Sequence, residues 1–74
     1  MSPLPLPRGA DLVRALQRAG FVIARIKGSH HIMRHADGRK TVVPVHGSRV
    51  IAYSLLKKIL GQAGISEDEY LNLV

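Results

Sequence analysis

The chain has 74 residues, a net charge of +6 from 11 Lys/Arg against 5 Asp/Glu, 46% hydrophobic residues and no cysteine. That length holds one domain, and a marginal one, because so short a chain buries only about 60% of its unfolded surface. Disulfides and thiolate metal sites are excluded, and no apolar run approaches the roughly 18 residues of a membrane span. The opening MSPLPLPRGAD has no apolar stretch of the signal-peptide kind, so a cytoplasmic protein is expected. Between Asp11 and Glu67 the only acid is Asp37, against ten Lys/Arg. So basic a middle favours a polyanionic partner, RNA or DNA, through counterion release.

Pro3, Pro5 and Pro7 alternate near the start. Proline blocks helix and ladder alike, so residues 1–8 are expected as an extended arm and residues 9–74 as a single domain. A helix begins at Arg8 or Gly9, with Asp11 in its first turn where a negative charge meets the dipole favourably. Leu12, Val13, Leu16 and Ala19 mark its apolar face, and Gly20 ends it in a left-handed conformation. Phe21 to Ile26 is β-branched and aromatic, a strand. Gly28-Ser29 turns the chain into a second strand, about Ser29 to His35. Asp37-Gly38 signals a two-residue hairpin loop, and Thr41 to Val45 forms the third strand. Pro44 cannot donate to a ladder, which places this strand at a sheet edge.

A two-residue loop pairs Arg34 with Thr41, Ile32 with Val43 and His30 with Val45. One face then carries His30, Ile32, Arg34, Thr41, Val43 and Val45. The other carries His31, Met33, His35, Lys40, Val42, Pro44 and His46. Neither is cleanly apolar, and a slip of one residue would exchange them. After a loop at His46-Gly47-Ser48-Arg49, a helix is expected from about Val50 to Gln62. Its stripe is Ile51, Leu55, Leu56, Ile59, Leu60 and Ala63, and Gly64 ends it. Ser66 and Glu69 form a capping box opening a short last helix, from which Tyr70, Leu71 and Val74 cover the core. The order α-β-β-β-α plus a terminal helical turn is an α+β domain with a three-stranded antiparallel sheet, helices on one face. It is the plan of double-stranded RNA-binding domains.

The stretch with chemical potential is Gly28-Ser29-His30-His31. RNA carries its own nucleophile, the 2′-hydroxyl. A cleaving protein needs a group to take that proton, one to protonate the leaving oxygen, and positive charge for the phosphorane. Histidine suits the proton steps and Lys or Arg the charge. His30 is the candidate acid or base. Arg25, Lys27, Arg34, Arg39 and Lys40 are candidate phosphate ligands. Gly28 would admit the backbone close to RNA, and Ser29 would orient His30 or donate to phosphate. His31 points to the opposite face and is expected to pack beside Pro44, and His35 to meet solvent or phosphate. His46 falls opposite Ser29 and is the only plausible second histidine. Tyr53 and Tyr70 are expected to pack. A metal site fails on geometry: His31 and His35 lie roughly 13 Å apart along one strand, and zinc ligands must sit about 2 Å from one centre.

These residues resemble a known family. Ala19-Gly20-Phe21, Gly28-Ser29-His30-His31-Ile32, Asp37-Gly38-Arg39, Val43-Pro44-Val45-His46, Leu56-Lys57-Lys58-Ile59-Leu60 and Ala63-Gly64-Ile65 together are similar to the HicA toxins, over about residues 9 to 70. The resemblance implies a double-stranded-RNA-binding-like fold and metal-independent, cofactor-free cleavage of mRNA. It implies the histidine after Gly-Ser, here His30, as the active one, and a cognate HicB-type antitoxin covering the active face. Where the family often has Gly-Thr before a leucine, this chain has Ser54-Leu55, and the proline arm exceeds the usual pattern. The competing functions are a non-catalytic double-stranded RNA-binding module and a basic protein that docks an acidic protein partner.

Overall fold

The structure, a computed structural model, describes residues 4–74, so Pro3 of the arm lies outside the described residues. The elements are α1 (Gly9–Arg18), β1 (Phe21–Lys27), β2 (His30–His35), β3 (Lys40–Pro44), α2 (Tyr53–Ala63) and α3 (Glu67–Leu73). The strands form one antiparallel sheet in the order β1-β2-β3. The fold is the expected α+β plan, with β3 and its Pro44 at an edge.

Local chemistry explains the first helix. The Arg8 N–H donates to the Asp11 carboxylate at 3.2 Å, satisfying a donor at the helix start, and Arg8 and Arg14 side chains close on the same carboxylate at 3.1 and 2.7 Å. Those hydrogen bonds, Arg8's foremost, hold the Asp11 carboxyl below the usual carboxylate range. Leu12, Val13 and Leu16 are buried as the spacing required. At α3 the Ser66 hydroxyl accepts the Glu69 N–H at 3.1 Å. Only that half of the capping box is made among the described residues.

The second hairpin departs from expectation. The His35 N–H donates to the Arg39 carbonyl and the Gly38 N–H to the His35 carbonyl, both at 2.9 Å. The loop is therefore three residues, Ala36-Asp37-Gly38, with Gly38 at φ +101°, the hairpin type that needs a left-handed glycine at its third position. Every partner moves by one: Arg34 pairs with Lys40, Met33 with Thr41, Ile32 with Val42, His31 with Val43 and His30 with Pro44. Burial gives the physical reason. This register puts Met33, Thr41 and Val43 on one face, and all three are buried. The two-residue loop would have sent Met33 and Val43 to opposite sides.

Asp37 and Arg39 lock the turn. Arg39 Nε lies 2.8 Å from one Asp37 oxygen, and the Arg39 N–H donates to the other at 3.1 Å. The same guanidinium donates to the Ala63 carbonyl at the end of α2, at 2.6 Å, and lies over the Phe21 ring. The Arg39 side chain and its N–H hold the Asp37 carboxyl below its usual range. A carboxyl lowered on folding contributes stability that is present above the usual carboxylate range and lost as pH falls through its folded-state value. Thermal melts from pH 7 to pH 3 should therefore decline steeply only at the acid end, and Asp37→Asn should flatten that decline. An unchanged acid limb in the variant removes Asp37 from it.

A bulge breaks β1 between Ile23 and Arg25. Strict alternation would align Phe21, Ile23, Arg25 and Lys27 on one face. The extra residue, Ala24, turns Arg25 and Lys27 over, away from buried Phe21. The face away from the helices then reads in three rows across the sheet: Val22-Arg34-Lys40, Arg25-Ile32-Val42 and Lys27-His30-Pro44.

The chain between β3 and α2 is pinned by the arm. Arg8 pairs with Val50 in an antiparallel bridge, and the Ile51 N–H donates to the Pro7 carbonyl at 2.7 Å. These contacts keep 50–52 extended, so α2 starts at Tyr53 and not at Val50. Its stripe otherwise packs as expected, with Leu55 half-buried. Leu4 joins the core and Pro7 is buried. The Tyr70 hydroxyl donates to the Pro5 carbonyl at 2.6 Å, and burial pushes the phenol pKa up. Leu71 and Val74 are exposed; Leu73 packs on the core in their place, because it follows Tyr70 by three residues on one helix face. Tyr70→Phe leaves the Pro5 carbonyl without its donor, at a cost of about 1–2 kcal/mol. The expected melting temperature falls by about 4–8 °C per kcal/mol. An unchanged melting temperature shows that this hydrogen bond adds nothing to stability.

Candidate nucleic-acid interface

His30 opens β2, directly after the turn. Lys27 and His30 pair across Gly28-Ser29, and Gly28 has φ +59° while Ser29 does not enter the positive region. Positive φ at the first central residue alone is the pattern of a tight II′ hairpin turn, which glycine adopts without strain. A side chain on Gly28 would meet nothing within 4 Å, so the space beside the turn is open. His30 is exposed on the outer face, flanked by Lys27 on β1 and Pro44 on β3.

The turn is tied to the end of β3. The Ser29 carbonyl accepts the Val45 N–H at 2.7 Å, and Ser29 Oγ lies 3.3 Å from His46 Nε2. His46 thus reaches the His30 end of the sheet. The loop then tightens as the Arg49 N–H donates to the His46 carbonyl at 3.0 Å.

The acids pair with cations off the outer face. Asp11 takes Arg8 and Arg14, Asp37 takes Arg39, and Glu67 takes Lys57. Arg25, Lys27, Arg34 and Lys40 are all exposed, stand on the outer face with His30, and make no ion pair among the described residues. The structure brings these residues, Gly28 and Ser29 to one surface. It does not bring Arg39 there, since that guanidinium is spent between Asp37, Ala63 and Phe21.

His31 and His35 lie on the helix side. His35 is not a solvent contact: its side chain is 23% exposed, sits edge-on to Phe21, and its Nδ1 lies 3.2 Å from the Asp37 nitrogen. His31 pairs with Val43 and is half-buried, its Nδ1 without a hydrogen-bond partner among the described residues. The shifted register sets Pro44 beside His30 and not beside His31 as expected. Tyr70 packs, but Tyr53 is 44% exposed at the start of α2, near the Lys57 ammonium. No group of three or more His, Cys, Asp or Glu side chains that could hold a metal occurs among the described residues, and none of their helices is long and apolar enough to cross a membrane.

Two features escaped the sequence reading. One is the bulge at Ala24, whose only trace is that the odd positions of β1 change from apolar to charged at Arg25. The other is a cleft of about 300 Å³ between the end of β3 and the start of α2, with His46 and Arg49 among its lining. It exists because the arm holds residues 50–52 extended, which no local pattern announces.

No curated protein sequence matches the chain at a significant level. A family model described as the HicA toxin of bacterial toxin–antitoxin systems matches residues 9–65, from the start of α1 to the residue after the α2 cap. The arm and α3, which touch each other through Tyr70 and Pro5, lie outside that span. With most of its length matched, and with the three-stranded α+β fold in place, the chain belongs to the HicA toxin family.

Proposed function

We propose that the outer sheet face binds an RNA strand and that His30 moves a proton in its cleavage. HicA toxins are mRNA interferases that pair with antitoxins. The observation that carries the reading for this chain is the position of His30. It is an exposed imidazole in a row with Lys27, on a face whose cations are left unpaired.

The chemistry follows from RNA itself. The 2′-oxygen attacks phosphorus as its proton leaves, the 5′-oxygen departs with a proton, and a 2′,3′-cyclic phosphate remains. His30 serves as the base or the acid in these transfers. Lys27 in the same row, with Arg25 in the next, offsets the charge that grows on the phosphorane, and Arg34, one row beyond, takes a neighbouring phosphate. Lys40 extends the positive track. Gly28 leaves room for the strand to approach the backbone. Ser29, held by His46, fixes the turn from which His30 projects. The same cationic face suits an acidic HicB-type antitoxin that would block it.

The experiment is to incubate the purified chain with RNA in excess chelator. Shortened products ending in a 2′,3′-cyclic phosphate are expected. RNA that is bound at low salt yet stays intact would replace this reading with that of a non-catalytic RNA-binding module.

A further inference from the structure

We propose that the cleft beside His46 is a binding site for one unpaired nucleobase, the base adjoining the phosphate at His30. The inference rests on the RNA reading above and adds where a base goes. Pro44, Val50, Ile51, Ala52 and Leu55 wall the cleft, and His46 and Arg49 complete its lining. Its volume of about 300 Å³ is at the small end for ligand pockets, the scale of a single flat ring system.

Position links the cleft to His30 through two contacts. Pro44 is the cross-strand partner of His30, and such partners stand about 4.5–5.5 Å apart. His46 touches Ser29, the residue before His30. A strand whose phosphate lies at His30 thus has the cleft beside it.

Chemistry favours a base over a phosphate. The walls are apolar, and a phosphate would gain nothing from them. Arg49 makes no ion pair among the described residues, and guanidinium and imidazole planes both stack on bases. The outer sheet face has no aromatic platform: Phe21 and Tyr70 are buried and Tyr53 lies on α2. Arg25, Lys27, Arg34 and Lys40 complement the phosphates of the same strand and leave the base to the cleft.

The test reads binding. Uncleavable 2′-O-methyl tetranucleotides of each base, and an abasic oligomer of the same charge, are titrated into protein labelled at the Ala and Leu methyls. The Ala52 and Leu55 resonances should shift with the base-bearing strands and not with the abasic one. Ala52→Trp, a substitution at an exposed position that fills the mouth, should weaken the base-bearing strands by about tenfold and leave the abasic one unchanged. Circular dichroism checks that the variant folds. Equal shifts from the abasic strand, or equal weakening of both, overturn the proposal. Cleavage by the wild-type protein without cleft shifts also overturns it while the nuclease reading survives. Cleft shifts in a protein that binds but never cuts reject the nuclease and keep the cleft.

Discussion

His30→Ala leaves RNA bound and uncut. The side chain is exposed and stands between Lys27 and Pro44, neither of them a core residue, so its loss should not disturb the fold, and the cations proposed to hold phosphate remain. A positioned acid or base contributes about 10²- to 10⁴-fold to a proton-transfer step. The expected result is a fall of that size in single-turnover cleavage rate, with the dissociation constant changed by less than about threefold, the scale of one surface contact. Chelator changes neither number. His31→Ala is the control at the neighbouring position, where the ring faces the helix side and pairs beside Val43. It should lower the melting temperature more than the rate. Full activity in His30→Ala would remove His30 from the chemistry, and equal loss of binding and cleavage would make it a ligand for RNA only.

Replacing Arg25, Lys27, Arg34 and Lys40 together by Gln should flatten the salt dependence of binding. Each phosphate neutralised on a single strand adds about 0.7 to the slope of log affinity against log salt. Four such contacts give a slope change of about 3. Near physiological salt the variant should bind weakly, and cleavage should fall with binding. The residues are exposed and in no ion pair among the described residues, so the melting temperature should hold or rise as self-repulsion is relieved. Arg39→Gln is the contrast. It removes the hydrogen bond to the Ala63 carbonyl and the Asp37 pair, so it should destabilise by about 1–3 kcal/mol while the salt slope stays put. An altered slope in Arg39→Gln with an intact one in the quadruple variant would place RNA on another surface.

The two results separate what the residues themselves declare from what their assembly decides. Capping, spacing and turn residues are local, and they showed. Asp11 and Ser66 mark the starts of α1 and α3 where the sequence puts them, Gly20 and Gly64 follow α1 and α2 at positive φ, and the β-branched and histidine-bearing runs are strands. His30 was legible for the same reason, since Gly28-Ser29 defines a turn by its own backbone preferences and the next residue must open a strand. The placement of His46 at that end of the sheet was legible as well, through the length of the strands.

What the sequence alone determined, then, is the order of elements, the edge position of Pro44, the place of His30 directly after the Gly28-Ser29 turn and the excess of positive charge. Only the tertiary structure decided which cations join that histidine. Asp37-Gly38 is compatible with a loop of two residues or three, and the choice fell to the burial of Met33 and Val43 on a common face. The bulge at Ala24 turned Arg25 and Lys27 outward, and the docked arm delayed α2 and opened the cleft. These outcomes depend on contacts between residues far apart in the chain. A one-residue shift reverses every side chain of a strand, so the identity of a face is settled by packing and not by the strand itself.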